Sequence, residues 1–220
     1  MQEIFDFFSG FVSRPDRVLT DLVEKYDSWI YLILFLIIFA ETGLIVASFL
    51  MPFLPGDALI FAIGMISAGG HIHIWIIIPL LILAALLGDN LNYYVGKRAG
   101  TWLLRQEKTW FLRKSHVEKA TQFFEQYGTK AVIIARFIPV VRTIVPFLSG
   151  VTNMHYPTFL RYSFYGASLW VGAIGLIGYF LGRIEFVQNN LEWFILLIIV
   201  LANIPLIKRL FFDRKPKEQE

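Results

Sequence analysis

The sequence predicts an all-α integral membrane protein, with four transmembrane helices and two re-entrant helical hairpins in an inverted repeat, plus amphipathic helices at the interface. Three observations carry that prediction. Hydrophobic residues make up 56% of the 220, above the roughly 45–50% of a soluble domain. They fall in long blocks, Trp29 to Ala40, Ile72 to Leu87, Leu169 to Leu181 and Trp193 to Leu206, several near the ~20 residues that cross a ~30 Å hydrocarbon core. Two further apolar stretches are broken by proline and still carry charge, which a continuous spanning helix would not tolerate.

The placement of Lys and Arg orders these blocks. Arg14, Arg17 and Lys25 precede the first, eight basic residues lie between Lys97 and Lys130, and five follow Ile207. Basic stretches stay in the cytoplasm, so both termini and the central loop are expected on that side. Between Trp29 and Gly96 the chain must then leave and return, although it holds three apolar stretches. The run Phe53-Leu54-Pro55-Gly56-Asp57 resolves the conflict by making residues 44–70 a hairpin entered from outside. Pro139 and Pro146 do the same for residues 129–156, entered from the cytoplasm. Full spans remain near 29–43, 72–96, 158–182 and 191–211. The expected organisation is an amphipathic segment (1–28), a membrane domain (29–211) and a cytoplasmic tail (212–220).

The halves echo each other. Phe53-Leu54-Pro55 returns as Phe137-Ile138-Pro139, and Tyr93-x-x-Gly96-Lys97 as Tyr179-x-x-Gly182-Arg183. One hairpin opens outside and the other inside, the inverted-repeat plan of many secondary transporters. Two segments read as interfacial. Val18, Leu22, Val23 and Tyr26 form a helical apolar stripe, and Ser115-x-x-Glu118 opens a loop helix that Gly128 stops. An ordinary packed loop helix explains the second equally well.

Five ionisable groups lie at membrane depth on this topology: Glu41, Asp57, Asp89, Arg136 and Arg142. Each costs about 2.5–3.5 kcal/mol there unless it faces a partner or a wet cavity. Glu41 interrupts a continuous apolar span with no turn to cap, which suits proton exchange. Asp57 follows Pro55-Gly56 at a hairpin tip, where it either binds a coupling ion or N-caps the second arm. Arg136 and Arg142 flank Pro139, and a break there lets both guanidinium groups converge, as phosphate recognition requires. Alternatively each neutralises an acid of the other hairpin. Asp89, Asn92, Tyr93 and Gly96 share one helix face, either lining the same cavity or gluing helices together. Glu41 and Asp57 are thus candidates for proton coupling, and Arg136, Arg142, Asp89, Asn92 and Tyr93 for substrate binding.

Other classes find no support. There is no cysteine, and His71 with His73 is poor metal geometry. Leu148-Ser149-Gly150 lacks the setting of a serine nucleophile, and no nucleotide-binding motif occurs. Glu3 and Asp6 stand where a cleavable signal peptide would be basic. Neither an enzyme, a cofactor, a metal nor a nucleic-acid partner is expected.

Phe53-Leu54-Pro55-Gly56-Asp57, Ala135-Arg136-Phe137-Ile138-Pro139-Val140-Val141-Arg142-Thr143 and Gly178-Tyr179-Phe180-Leu181-Gly182-Arg183 together resemble the DedA family of bacterial inner-membrane proteins. Glu41-Thr42-Gly43 and Gly88-Asp89-x-x-Asn92-Tyr93 are similar to the DedA branch of that family. The resemblance covers roughly residues 20–205. An extra Met51-Pro52 before the first motif departs from it. It implies a re-entrant transporter fold shared with eukaryotic lipid scramblases, a part in envelope homeostasis and membrane potential, and for some members translocation of undecaprenyl phosphate or phospholipid. It matches Glu41, Asp57, Arg136 and Arg142 to the family's functional acids and bases. The expected function is a proton-linked translocase of an anionic lipid or lipid phosphate, in a bilayer and compatible with a homo-oligomer. The rivals are a proton-coupled exporter of small cations or drugs and a membrane assembly factor.

Overall fold

The computed structural model describes residues 28–43, 56–70, 72–105, 122, 124–138, 141–188 and 194, with backbone alone at 99–105. Of the expected elements, the N-terminal segment up to residue 27, the first arm of the first hairpin, most of the loop helix, His71, Pro139, the fourth span apart from Phe194, and the tail lie outside the described residues. Every regular element described is helical. They are α1 (Trp29–Gly43), α2 (Gly56–Ala68), α3 (Ile74–Arg105), α4 (Ala131–Ile134), α5 (Ile144–Val151), α6 (Tyr156–Leu181) and α7 (Glu185–Gln188). Short 3-10 turns, Gly128–Lys130 and Ala135–Phe137, flank α4.

Among the described residues, two stretches, Ile74–Arg98 and Tyr156–Leu181, are long and apolar enough to cross a bilayer. α1 buries Ile30, Leu34, Ile38 and Glu41 along one stripe, while Leu32 and Leu36 point outward. The same inversion runs along α3 and α6, where Trp75, Leu83, Leu87, Phe164, Leu169, Ile177 and Phe180 are exposed. A surface this apolar suits lipid rather than water.

Local chemistry sets the ends. α2 stops at Gly69-Gly70, where Gly70 takes φ +84° and its N–H donates to Ser67 O. α5 stops at Asn153 (φ +53°). There Met154 N–H reaches Ser149 O and Asn153 N–H reaches Gly150 O, the paired bonds of a Schellman motif. α6 opens with proline in its first turn, where the missing N–H costs nothing. The helical run after α4 breaks where expected. Ile138 is extended (φ −118°, ψ 106°) because the residue before a proline is pushed out of the helical region.

α3 and α6 pack on each other, α1 packs on α3, and each short arm lies on the long helix of the other half: α2 on α6, α5 on α3. Glycine permits both crossings. A Cβ on Gly64 would strike the α6 backbone at Gly175 O and Tyr179 N, and one on Gly178 would strike Phe61 O. In the second crossing a Cβ on Gly150 would strike Tyr93 O and Lys97 N, and one on Gly96 would strike Phe147 O. The two contacts have the same form: Phe-x-x-Gly on an arm meets a span through a residue, a glycine three positions on and a residue four positions on.

The packing differs by one helical turn from the sequence echo. The arms correspond as 61 to 147 and 64 to 150, but Gly96 corresponds in contact to Gly178 rather than to Gly182. A four-residue shift keeps the same helix face, so the motif alone could not distinguish the two registers. Gly182 packs one turn farther along, against Met65. Gly178→Leu and Gly96→Leu are each expected to destabilise the fold by about 1–3 kcal/mol or more through overpacking. Gly172→Leu is the control, because nothing lies within 4 Å of its Cβ position. Thermal unfolding in detergent checks this, with the control expected to match wild type.

Candidate functional site

The site begins at the crossing of α1 and α3. Gly43 and Gly88 meet backbone to backbone, and a Cβ on Gly88 would run into Thr42. Thr42 turns its hydroxyl back to Ile38 O at 2.7 Å, leaving its carbonyl to accept from Asn92 Nδ2 at 2.7 Å. This close approach sets Glu41 and Asp89, both buried, into the interior. The first turn of α2 arrives beside them. A Cβ on Gly56 would fall within the Glu41 carboxylate.

Two ion clusters form around these acids. In the first, Arg136 Nη2 pairs with Asp89 Oδ2 and donates to Ser163 Oγ at 3.3 Å, while Ser163 Oγ donates to Asp89 at 2.5 Å. Gly166 makes room, since its Cβ position lies 3.0 Å from Arg136 Cδ. In the second, Arg142 spans two helices, pairing through Nη2 with Glu41 and through Nη1 with Asp57 at 3.2 Å. Arg142 and Asp57 belong to the two proline-containing motifs, so those motifs meet. Trp170 lies between the clusters. Its Nε1–H donates to Asp57 Oδ1 at 2.9 Å, and its ring centroid is 5.9 Å from the Arg136 guanidinium carbon and 5.4 Å from that of Arg142.

Thr42, Asp89, Arg136, Arg142, Thr143 and Trp170 line a small cavity, with about 10 Å³ of room for the centre of a water-sized molecule, space for about one water. Arg136 Nε is buried there without a hydrogen-bond partner among the described residues. The break at Ile138 does bring both arginines to one place.

The face Asp89-Asn92-Tyr93-Gly96 divides. Asp89 lines the cavity. Asn92 holds the α1 backbone, the Tyr93 hydroxyl donates to Met154 O at 2.5 Å with its ring stacked on Phe159, and Gly96 serves the α5 crossing. Asp57 sits inside the first turn of α2, and its described bonds go to Arg142 and Trp170 rather than to a helix N-terminus. Sequence reasoning missed Trp170, Ser163 and Thr143. The available signal was the small or polar run Ser163, Gly166, Ala167 leading to Trp170 at helical spacing, hidden in an apolar block. Among the described residues no cluster of metal-ligating side chains occurs.

A helical protein with a lipid-suited exterior and ionisable side chains gathered around an interior cavity belongs to the class of polytopic membrane proteins. The VTT domain matches residues 54–180, a span that holds Asp57, Asp89, Arg136, Arg142 and Trp170 and leaves Glu41 just before it. Protein DedA of Escherichia coli K12 is 40% identical over 205 residues, 92% of both chains. An uncharacterized membrane protein of Mycobacterium leprae is 40% identical over 169 residues, 77% of this chain and 74% of its own. The inner membrane protein YqjA of E. coli K12 is 33% identical over 154 residues, 70% and 68%. The chain belongs to the DedA family. No solved structure matches it.

Proposed function

We propose that this protein is a proton-linked lipid translocase, a flippase or scramblase for undecaprenyl phosphate or phospholipid that supports envelope homeostasis. The observation that carries the reading is the convergence of Arg136 and Arg142 on one indole ring beside a buried cavity, since paired guanidinium groups suit a phosphate. In this reading the headgroup phosphate takes Arg142, with Arg136 beside it, and Glu41 and Asp57 accept the protons that balance the exchange. Among the described residues three carboxylates face two guanidinium groups, so one added proton makes that ionised cluster neutral. The acid surplus also favours a second reading, a proton-coupled exporter of small cations or drugs.

The topology proposed with it has four spans and two re-entrant hairpins in an inverted repeat, with both termini in the cytoplasm of an inner membrane. The break at Ile138 and the reciprocal arm crossings support it, and YqjA is named an inner membrane protein. Single cysteines in a chain with none of its own provide the check. Labelling by an impermeant thiol reagent in intact cells is expected near His71 and Gln188 and not near Arg113, and external labelling at Arg113 would overturn the scheme.

Glu41→Gln and Asp57→Asn keep shape and remove the titrating proton. Each is expected to flatten the pH dependence of headgroup translocation in proteoliposomes. Wild-type protein that moves no lipid faster than empty vesicles, yet drives cation flux with pH, would promote the exporter. Inactivity in both assays favours an assembly factor.

A further inference from the structure

We propose that Trp170 is a positioning residue that joins the two ion clusters into one responsive unit, holding Asp57 through its indole N–H while its ring carries both arginines. The inference deepens the proposed function and rests on it for the identity of the anion.

Trp170 lies on α6 one turn beyond Gly166-Ala167 and two turns beyond Ser163, all buried on one face. It is about 21 Å along the helix from Tyr156, far from the interface where tryptophan is usually enriched. A buried indole N–H needs an acceptor, and this one takes a carboxylate from another element, Asp57 on α2. Among the described side chains it touches members of both clusters: Asp57 and Arg142 of one, Arg136 of the other.

The groups facing Asp57 define what the contact does. Arg142 reaches it from the turn before α5, Glu41 of α1 shares that arginine, and beyond lies the Arg136–Asp89 pair of the second hairpin and α3. α6 contributes no charge there, only Trp170. Asp57 Oδ1 therefore has two described donors, one cationic and one neutral. When a phosphate takes Arg142, the neutral donor remains and keeps Asp57 aimed at the vacated position. Because the same ring carries Arg136, any displacement of Arg142 also alters the surroundings of the Arg136–Asp89 pair. A ring without an N–H would keep the arginines in place and lose the hold on Asp57. A side chain without a ring would lose both.

The test separates these two parts. Trp170→Phe is expected to lower kcat for headgroup translocation about tenfold with KM within about twofold, and Trp170→Leu to raise KM as well. In an Asp57→Asn background, Trp170→Phe is expected to add less than about twofold, because the titrating carboxylate whose position Trp170 controls is already replaced by an amide that carries no proton. An equal tenfold loss in both backgrounds, as a merely structural role would give, overturns the proposal. A second measurement needs no Trp170 variant to be active. The indole N–H signal of Trp170, assigned by its absence from Trp170→Phe in 15N-tryptophan-labelled protein in nanodiscs, is expected to move in Asp57→Asn and on titrating wild type with farnesyl phosphate. A signal unmoved by Asp57→Asn overturns the proposal. If wild type moves no lipid and farnesyl phosphate leaves the signal still, the lipid reading falls, while the Asp57→Asn shift measured without ligand continues to decide the role of Trp170.

Discussion

Arg142→Lys is expected to give a folded protein that translocates lipid headgroups at least about tenfold more slowly than wild type. The geometry of Arg142 sets the size of the effect. One nitrogen pairs with Glu41 on α1 and the other with Asp57 on α2, so the planar fork reaches two carboxylates on separate helices while its face rests toward Trp170. A lysine ammonium is a single point on a flexible stem. It can serve one carboxylate well and cannot keep the second bond and the ring contact together. Formal charge is unchanged, so the cluster keeps its balance and folding is retained. Headgroup accessibility in proteoliposomes, read beside size-exclusion of the same preparation, makes the check. A lysine variant within twofold of wild type would show that charge without the fork suffices, and would remove the bidentate role assigned to Arg142.

How much of this was legible in the sequence depends on what each residue's cost reveals. Charges inside apolar blocks are expensive wherever they point, so Glu41, Asp57, Asp89, Arg136 and Arg142 stood out without any geometry, and so did the break before Pro139. The pairing of each arginine with its acids was not legible. Arg136 could have met any of three carboxylates, and its choice of Asp89 depends on Gly166 making room and on Ser163 completing the cluster. Trp170 was invisible for the opposite reason: an indole inside an apolar run costs nothing, and only a fold shows that its N–H meets a carboxylate. Asn92 and Tyr93 share a helix face with Asp89, yet periodicity assigns a face and not a neighbour. The faces Asn92 and Tyr93 present are taken by the α1 backbone and by Met154 and Phe159. The likeness of the two arm crossings was legible as a motif but not to within one turn, since a four-residue slip leaves the same side of the helix in contact.

Arg136→Ala and Asp89→Ala are each expected to destabilise the protein by about 3–5 kcal/mol, and the double variant by much less than the sum. Both side chains are about 5% exposed. Removing the arginine leaves the Asp89 carboxylate with Ser163 as its remaining described donor. Removing the aspartate strands a guanidinium whose Nε already lacks a partner among the described residues, with only Ser163 left as a described acceptor. Each single change therefore buries an uncompensated charge, whereas the double change removes both charges and leaves a cavity. For a chain of this size the single variants are expected to unfold in detergent roughly 10 °C or more below wild type, and the double variant to recover a large part of that. Singles whose losses simply add in the double would mean that the two groups do not act as a pair. The same double variant separates stability from transport: its partial thermal recovery is expected without any recovery of headgroup translocation, because Arg136 is one of the two described cations facing the cavity. A folded double variant that still translocates at the wild-type rate would confine Arg136 to holding the fold and leave Arg142 as the sole candidate for the phosphate among the arginines at the cavity.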